Sequence, residues 1–196
     1  MTTDTPVDRH ELGAASAAVL SEAARAAAGS APWMLLYRYW LSKRVGERPP
    51  SRQDIDPPID IPGLVKNLML MDVTPEGYRY RLFGSEVEAR HGLYMTGKLF
   101  GSSGIDVKAI DDLRRVIDQV VASQKPRVLN AEIDPAMSAR NTMLILPLVS
   151  VDGQTSHIMI GSFYDGHPRR AGWEWCRGSF RAVASSVWQN PSRDVG

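Results

Sequence analysis

The chain has 196 residues, of which 43% are hydrophobic and 23% charged, with a formal net charge of +1. That balance suits one globular domain with extensions, and it lacks the basic excess of a dedicated nucleic-acid binder. Cys176 is the only cysteine, so no internal disulfide can form, and a reducing compartment follows. The longest apolar stretch, around Met143 to Val149, falls far short of the ~20 residues a membrane span needs. Near the N-terminus, Asp4, Asp8 and Glu11 stand where a secretion signal would be basic. We therefore expect a cytoplasmic chain with neither nucleic acid nor membrane as partner.

Met1 to His10 is polar and reads as a frayed end. Leu12 to Ala28 is dominated by alanine, the best helix former, with Leu12, Val19 and Leu20 as its large apolar residues. Two readings stand for this segment: a solvated arm, or a helix that pairs with a second copy. Ser30 and Pro32 mark the start of a second helix. Trp33, Leu36, Tyr37, Trp40 and Leu41 recur on one face of it, which reads as a lid over a sheet. Arg38, Lys43, Arg44, Arg48 and Arg52 cluster nearby and read as a solvated basic face. Arg48 to Gly63 holds five prolines, so it is an extended connector. Its acids, Asp54, Asp56 and Asp60, serve turns and pair with arginines, Arg81 among the candidates.

Leu68 to Val73 is an apolar strand with large residues on both parities, so its sheet needs cover on both sides. Thr74-Pro75-Glu76-Gly77 turns the chain into a second strand, Tyr78 to Phe83. Tyr78, Tyr80 and Leu82 share one face of it, and Arg79, Arg81 and Phe83 share the other. Buried unpaired arginines would be expensive, so the tyrosine face is expected to turn toward the helix-covered side. Ser85 and Glu88 have capping-box spacing for a short helix from about Glu86 to Arg90, stopped by Gly92. Val107, Ile110, Leu113, Ile117, Val120 and Val121 then recur at helical spacing until Lys125-Pro126. Three strands follow: Arg127 to Ile133, Asn141 to Val149, and His157 to Tyr164, the last two joined by a turn at Asp152-Gly153. After Asp165 a linker leads to a stripe of Trp173, Cys176, Phe180, Val183 and Val187, which reads as a C-terminal amphipathic helix up to about Trp188. The pattern is α+β, and strand linkage alone leaves several sheet orders open.

The hairpin followed by Gly84-Ser85, a short helix, Gly92 and Thr96-Gly97 resembles the opening of a PAS domain. With Leu36-Tyr37-Arg38-Tyr39-Trp40, the segment Pro50 to Pro57, and Tyr80-Arg81-Leu82-Phe83-Gly84-Ser85, the chain is similar to small, mostly single-domain bacterial PAS proteins once catalogued as a domain of unknown function. The resemblance runs from about Ala31 to Tyr164. It implies a five-stranded antiparallel sheet of order 2-1-5-4-3, with helices on one face enclosing a cavity, and with N- and C-terminal helical extensions at residues 1–30 and 166–196. It also implies a sensory or regulatory module rather than an enzyme.

On that basis a small-molecule site would be walled by Tyr80, Leu82, Tyr94, Ile117, Met143 and Met159. Mostly apolar walls with a few hydroxyls suit a small, weakly polar ligand. The long helix holds no histidine to ligate haem, and no core cysteine could hold a flavin or chromophore covalently. A non-covalent flavin or another small molecule stays compatible, so the cofactor is left open. His10, His91, His157 and His167 lie on separate elements, which offers no metal site. Asp72 and His157 could be pictured as an acid–base pair, but nothing in the sequence sets their distance. The expected partners are a second copy of the chain, held through one or both terminal segments, and a separate output protein. A ligand-free interaction module is the alternative, and a small α+β enzyme using the same cavity a more distant one.

Overall fold

The structure is a computed structural model that describes residues 31–102, 107–134, 139–165 and 181–186. The apolar run at Leu68 becomes strand β1 (Leu68–Thr74), which turns into β2 (Gly77–Phe83). Helix α1 (Pro32–Ser42) precedes them through a connector holding a short helix, α2 (Pro57–Asp60), between two 3-10 turns, Arg52–Asp54 and Pro62–Asn67. Helices α3 (Ser85–His91) and α4 (Val107–Ser123) follow, then β3 (Arg127–Asp134), β4 (Ala139–Val149), β5 (Thr155–Asp165) and β6 (Arg181–Ser186). The sheet is antiparallel with the order β2-β1-β5-β4-β3-β6. Its first five strands stand in the expected order 2-1-5-4-3.

The sixth strand corrects the expected C-terminal helix. Arg181 to Ser186 is extended and pairs with β3 from Glu132↔Arg181 to Val128↔Ser186. Without it, the outer edge of β3 would present unpaired backbone donors and acceptors, which an extended segment satisfies and a helix does not. Of the predicted stripe, Val183 falls in this strand, while Trp173, Cys176, Phe180 and Val187 lie outside the described residues. The alanine-rich segment from Leu12 to Ala28 lies outside them too.

Both faces of the sheet are covered. Leu36, Tyr37, Tyr39 and Trp40 of α1 are buried against Leu144, Leu146, Leu148, Met159 and Phe163 on the outer face. The expected lid is thus present. Its anchor is the Trp40 indole, which donates to the carbonyl of Pro147 at 2.9 Å while the side chain is fully buried. The Tyr39 hydroxyl donates to Asp60 Oδ2 at 2.8 Å and accepts from the Asp56 backbone N–H at 2.9 Å, which holds the proline-rich connector against α1. Asp60 also meets Lys43 at 2.9 Å. Arg81, expected to pair with one of the connector acids, instead binds Asp72 on its own hairpin at 2.5 Å.

The capping box expected at Ser85 is not formed. Helix α3 starts one residue early, with Gly84 as its N-cap and no side-chain cap. The helix ends at Gly92, in left-handed geometry at φ 63°, whose N–H bonds the carbonyl of Glu88. Gly84 is demanded by space rather than by its backbone angles, φ −64° and ψ 145°. A Cβ there would collide with the backbone carbonyls of Lys66 and Leu68. Backbone atoms cannot rotate away as a side-chain tip can.

Two stability outcomes follow from these contacts. Gly84→Ala should cost roughly 2 kcal/mol or more in urea denaturation, whereas Gly63→Ala, which meets nothing within 4 Å, should stay within about 0.5 kcal/mol. Trp40→Phe keeps most of the packing and orphans the Pro147 carbonyl, so a loss of about 1–3 kcal/mol is expected in the same assay.

Candidate functional site

The inner face of the sheet meets α3 and α4. Met69, Met71, Tyr78, Tyr80, Met143, Ile158 and Ile160 pack there against Val87, Val116, Ile117 and Val120. Of the six residues expected to wall a ligand site, Tyr80, Ile117 and Met143 come together on this face. Leu82 and Met159 belong to the outer cluster beneath α1, and Tyr94 is 59% exposed. Leu82 and Met159 thus lie on the opposite face of the sheet from the other three.

The physical reason at Leu82 is a β-bulge. Leu70 pairs with Leu82 and Met71 with Tyr80, so Arg81 is an extra residue on β2. One inserted residue reverses the alternation. Tyr78 and Tyr80 turn inward as expected, but Phe83 follows them in and Leu82 turns out. For Met159 the cause is different. Ile158, Met159 and Ile160 are all fully buried, because β5 is covered on both sides, and apolar pattern then carries no parity signal.

Two hydroxyls enter this apolar layer. Tyr78 donates to Asp118 on α4. Tyr80 lies against Phe83 at 5.2 Å and Phe100 at 6.2 Å, and burial raises its hydroxyl well above the ordinary tyrosine range. No hydrogen bond to that hydroxyl is present among the described residues.

At its other end the inner face is polar. Ser162 and Asn141 are buried side by side, with the serine hydroxyl donating to Asn141 Oδ1 at 3.0 Å. Asn67 donates to the Ser162 carbonyl at 3.0 Å. One pair further along, Tyr164 stands opposite Asn141, and its hydroxyl lies 3.1 Å from His91 Nε2. The Arg90 guanidinium lies over the Tyr164 ring at 4.5 Å and meets Glu86 at 3.1 Å. Burial, reinforced by the neighbouring Arg90 charge, pushes the His91 imidazole down to about 4. Sequence reading passed over this group. Its one visible trace was serine and asparagine inside otherwise apolar strands.

Beside Arg90 the surface opens into a cleft of about 410 Å³. Its lining includes Trp33 at the start of α1, Leu64 and Lys66 of the second 3-10 turn, Arg90 of α3, and Phe163 and Asp165 of β5. A separate cluster sits on the outer side of the hairpin. Asp72 and His157, opposite one another in β1 and β5, come within 3.4 Å, while Asp72 is held by Arg81 and His157 Nδ1 lies 2.9 Å from Ser156 Oγ. Burial lowers the His157 pKa, with the Arg52 and Arg81 charges adding to it and Asp72 opposing. At 3.4 Å the contact exceeds ordinary hydrogen-bond length, and it works as an electrostatic pairing on the sheet. Among the described residues no group of three His, Cys, Asp or Glu side chains is arranged to hold a metal ion. No helix among them is long and apolar enough to cross a membrane.

Residues 29–163 match the PAS_5 family, described as "PAS domain". The chain belongs to this PAS family. No curated protein matches. Among solved structures 22 chains match. One is a sensory box sensor histidine kinase from Vibrio cholerae, 21% identical over 53% of this chain and 85% of that one, at a TM-score of 0.36. Another is the light state of the blue-light photoreceptor Aureochrome1 LOV, 13% identical over 55% and 89% of the two chains, at 0.36. A third, an RNA-binding Light-Oxygen-Voltage receptor, is 15% identical over 59% of this chain and 36% of its own, again at 0.36.

The His91 environment of this PAS domain sets a pH dependence. Its folded-state pKa, about 4, lies below the ordinary histidine value of 6.5, so the unfolded chain binds more protons between those values. Its contribution is intact above about pH 6.5 and is lost as pH falls toward 4, at a slope of up to ~1.4 kcal/mol per unit. Denaturation midpoints measured across this range should show the decline. A His91→Gln protein, which cannot titrate there, should show a shallower one, the remainder including the like-signed shift of His157.

Proposed function

We propose that this PAS domain is a sensory module that admits a small, weakly polar molecule to the inner face of its sheet and signals through a second copy of the chain or a partner protein. The Tyr80 hydroxyl carries this reading. The Tyr80 ring is buried among apolar side chains, its hydroxyl makes no hydrogen bond among the described residues, and a ligand acceptor or donor would supply one. Met69, Met71 and Met143 border it in the same cluster. Methionine is unbranched and readily changes rotamer, so these three can make room at modest cost. No step of this reading requires catalysis. Residues 1–30 and 166–196 flank the matched family region and are the natural route from ligand to output.

One observation favours a second reading, a ligand-free interaction module. The same three methionines are buried and fill the inner face as it stands. The two readings separate by experiment. Small molecules released from purified protein by denaturation are identified by mass spectrometry and titrated back. On the sensory reading, Tyr80→Phe folds normally and binds the recovered molecule roughly tenfold more weakly, and Met143→Trp folds and does not bind it. If nothing is released, and nothing is captured from a metabolite extract, the interaction module takes its place.

The output arm is tested separately. Sedimentation of the full chain should give a homodimer, and removal of residues 1–30 should weaken it. A full-length monomer at high concentration would leave a partner protein as the output route.

A further inference from the structure

The cleft beside Arg90 opens past the polar end of the inner face, where Glu86, Arg90 and Tyr164 line it together with the outer-face residue Phe163 and the beginning of α1, and none of the inner-face residues Tyr80, Ile117 and Met143 lines it. Its volume of about 410 Å³ falls within the range of small-molecule sites. Trp33, Leu64 and Phe163 give it an apolar wall, and each is at least partly buried. Arg90 is already committed to Glu86 and to the Tyr164 ring, so it stiffens the cleft rather than waiting for an anion. Two charges of opposite sign remain. Lys66 and Asp165 are both exposed, both line the cleft, and neither is held in an ion pair among the described residues.

We propose that this cleft is a second binding site, for a small zwitterion with an apolar body, of the kind presented by a free aromatic or large aliphatic amino acid. An anion alone would meet Asp165, and a cation alone would meet Lys66. A molecule carrying both charges matches both, while its side chain covers Trp33 and Phe163. The location gives the site a consequence. Ala31 and Asp165 both line the cleft, so its occupant touches the core where residues 1–30 join it and where residues 166–180 leave it. Occupancy therefore bears on the segments that would transmit a signal, independently of the inner face.

The test uses the full-length protein and isothermal titration calorimetry with L-phenylalanine, L-tryptophan and L-leucine. Phenylacetate, which lacks the ammonium, and phenethylamine, which lacks the carboxylate, serve as comparisons. Saturable binding of at least one amino acid is expected, with both comparison compounds roughly tenfold weaker or more. Lys66→Gln and Asp165→Asn, both at exposed positions that leave the core intact, should each weaken the amino acid by a similar factor. Asp165→Asn should not weaken phenylacetate. Met143→Trp, which fills the inner face, should leave amino-acid binding unchanged, so failure of the inner-face reading and failure of this one are distinguishable. The proposal is overturned if none of the three amino acids binds at millimolar concentration. It is equally overturned if both charge variants bind as tightly as the parent, or if phenylacetate matches L-phenylalanine.

Discussion

Strand β1 turns Leu68 and Leu70 toward one side of the sheet and Met69 and Met71 toward the other, and water has to be kept from both. Strand β5 beside it makes the same demand with Ile158, Met159 and Ile160. Two central strands of this kind cannot form the half-exposed sheet common in antiparallel folds. Helix α1 and the proline-rich connector close the outer side, and α3 and α4 close the inner side. The outer closure is held by few directional contacts. The Trp40 indole reaches the Pro147 carbonyl, and Tyr39 ties the connector through Asp56 and Asp60. The segment immediately preceding the hairpin is drawn so close that the backbone at Lys66 leaves room only for glycine at position 84.

This double cover separates the chemistry of the domain into distinct compartments. The inner face is soft and mostly apolar, with methionine and tyrosine against aliphatic helix residues. Its polar end is stiff, because Asn141, Ser162, Tyr164, His91, Arg90 and Glu86 support one another through hydrogen bonds, an ion pair and a ring contact. The surface cleft lies beyond that stiff end, next to both ends of the matched family region. A packed core moves between discrete arrangements rather than deforming smoothly.

Much of the fold was legible in the residues. Apolar spacing located α1 and α4, Pro and Gly placed the turns, and the two-sided apolarity of β1 required a sheet covered twice. The sheet order came from the PAS resemblance, since hairpin linkage alone left it open. Less of the site was legible. Tyr80, Ile117 and Met143 lie together on one face, whereas Leu82 and Met159 lie on the other and Tyr94 is exposed. Leu82 faces away because a bulge shifts a register set by partners far along the chain, and Met159 because β5 is apolar on both faces and its pattern carries no parity.

Local pattern and composition were enough to say where helices and strands lie, that the central hairpin is buried on both sides, and that one PAS family fits the order of the motifs. Tertiary structure alone decided the bulge at Arg81, which sends Phe83 inward and Leu82 outward. It also decided that Arg181 to Ser186 extends along β3 instead of coiling, because an open strand edge offers that segment hydrogen-bonding partners that a local pattern cannot reveal. The meeting of Arg90, His91 and Tyr164, and of Trp33, Lys66 and Asp165 around one cleft, belongs to the same class. Each brings together residues from separate elements, and only the closed sheet with its two covers sets the distances between them.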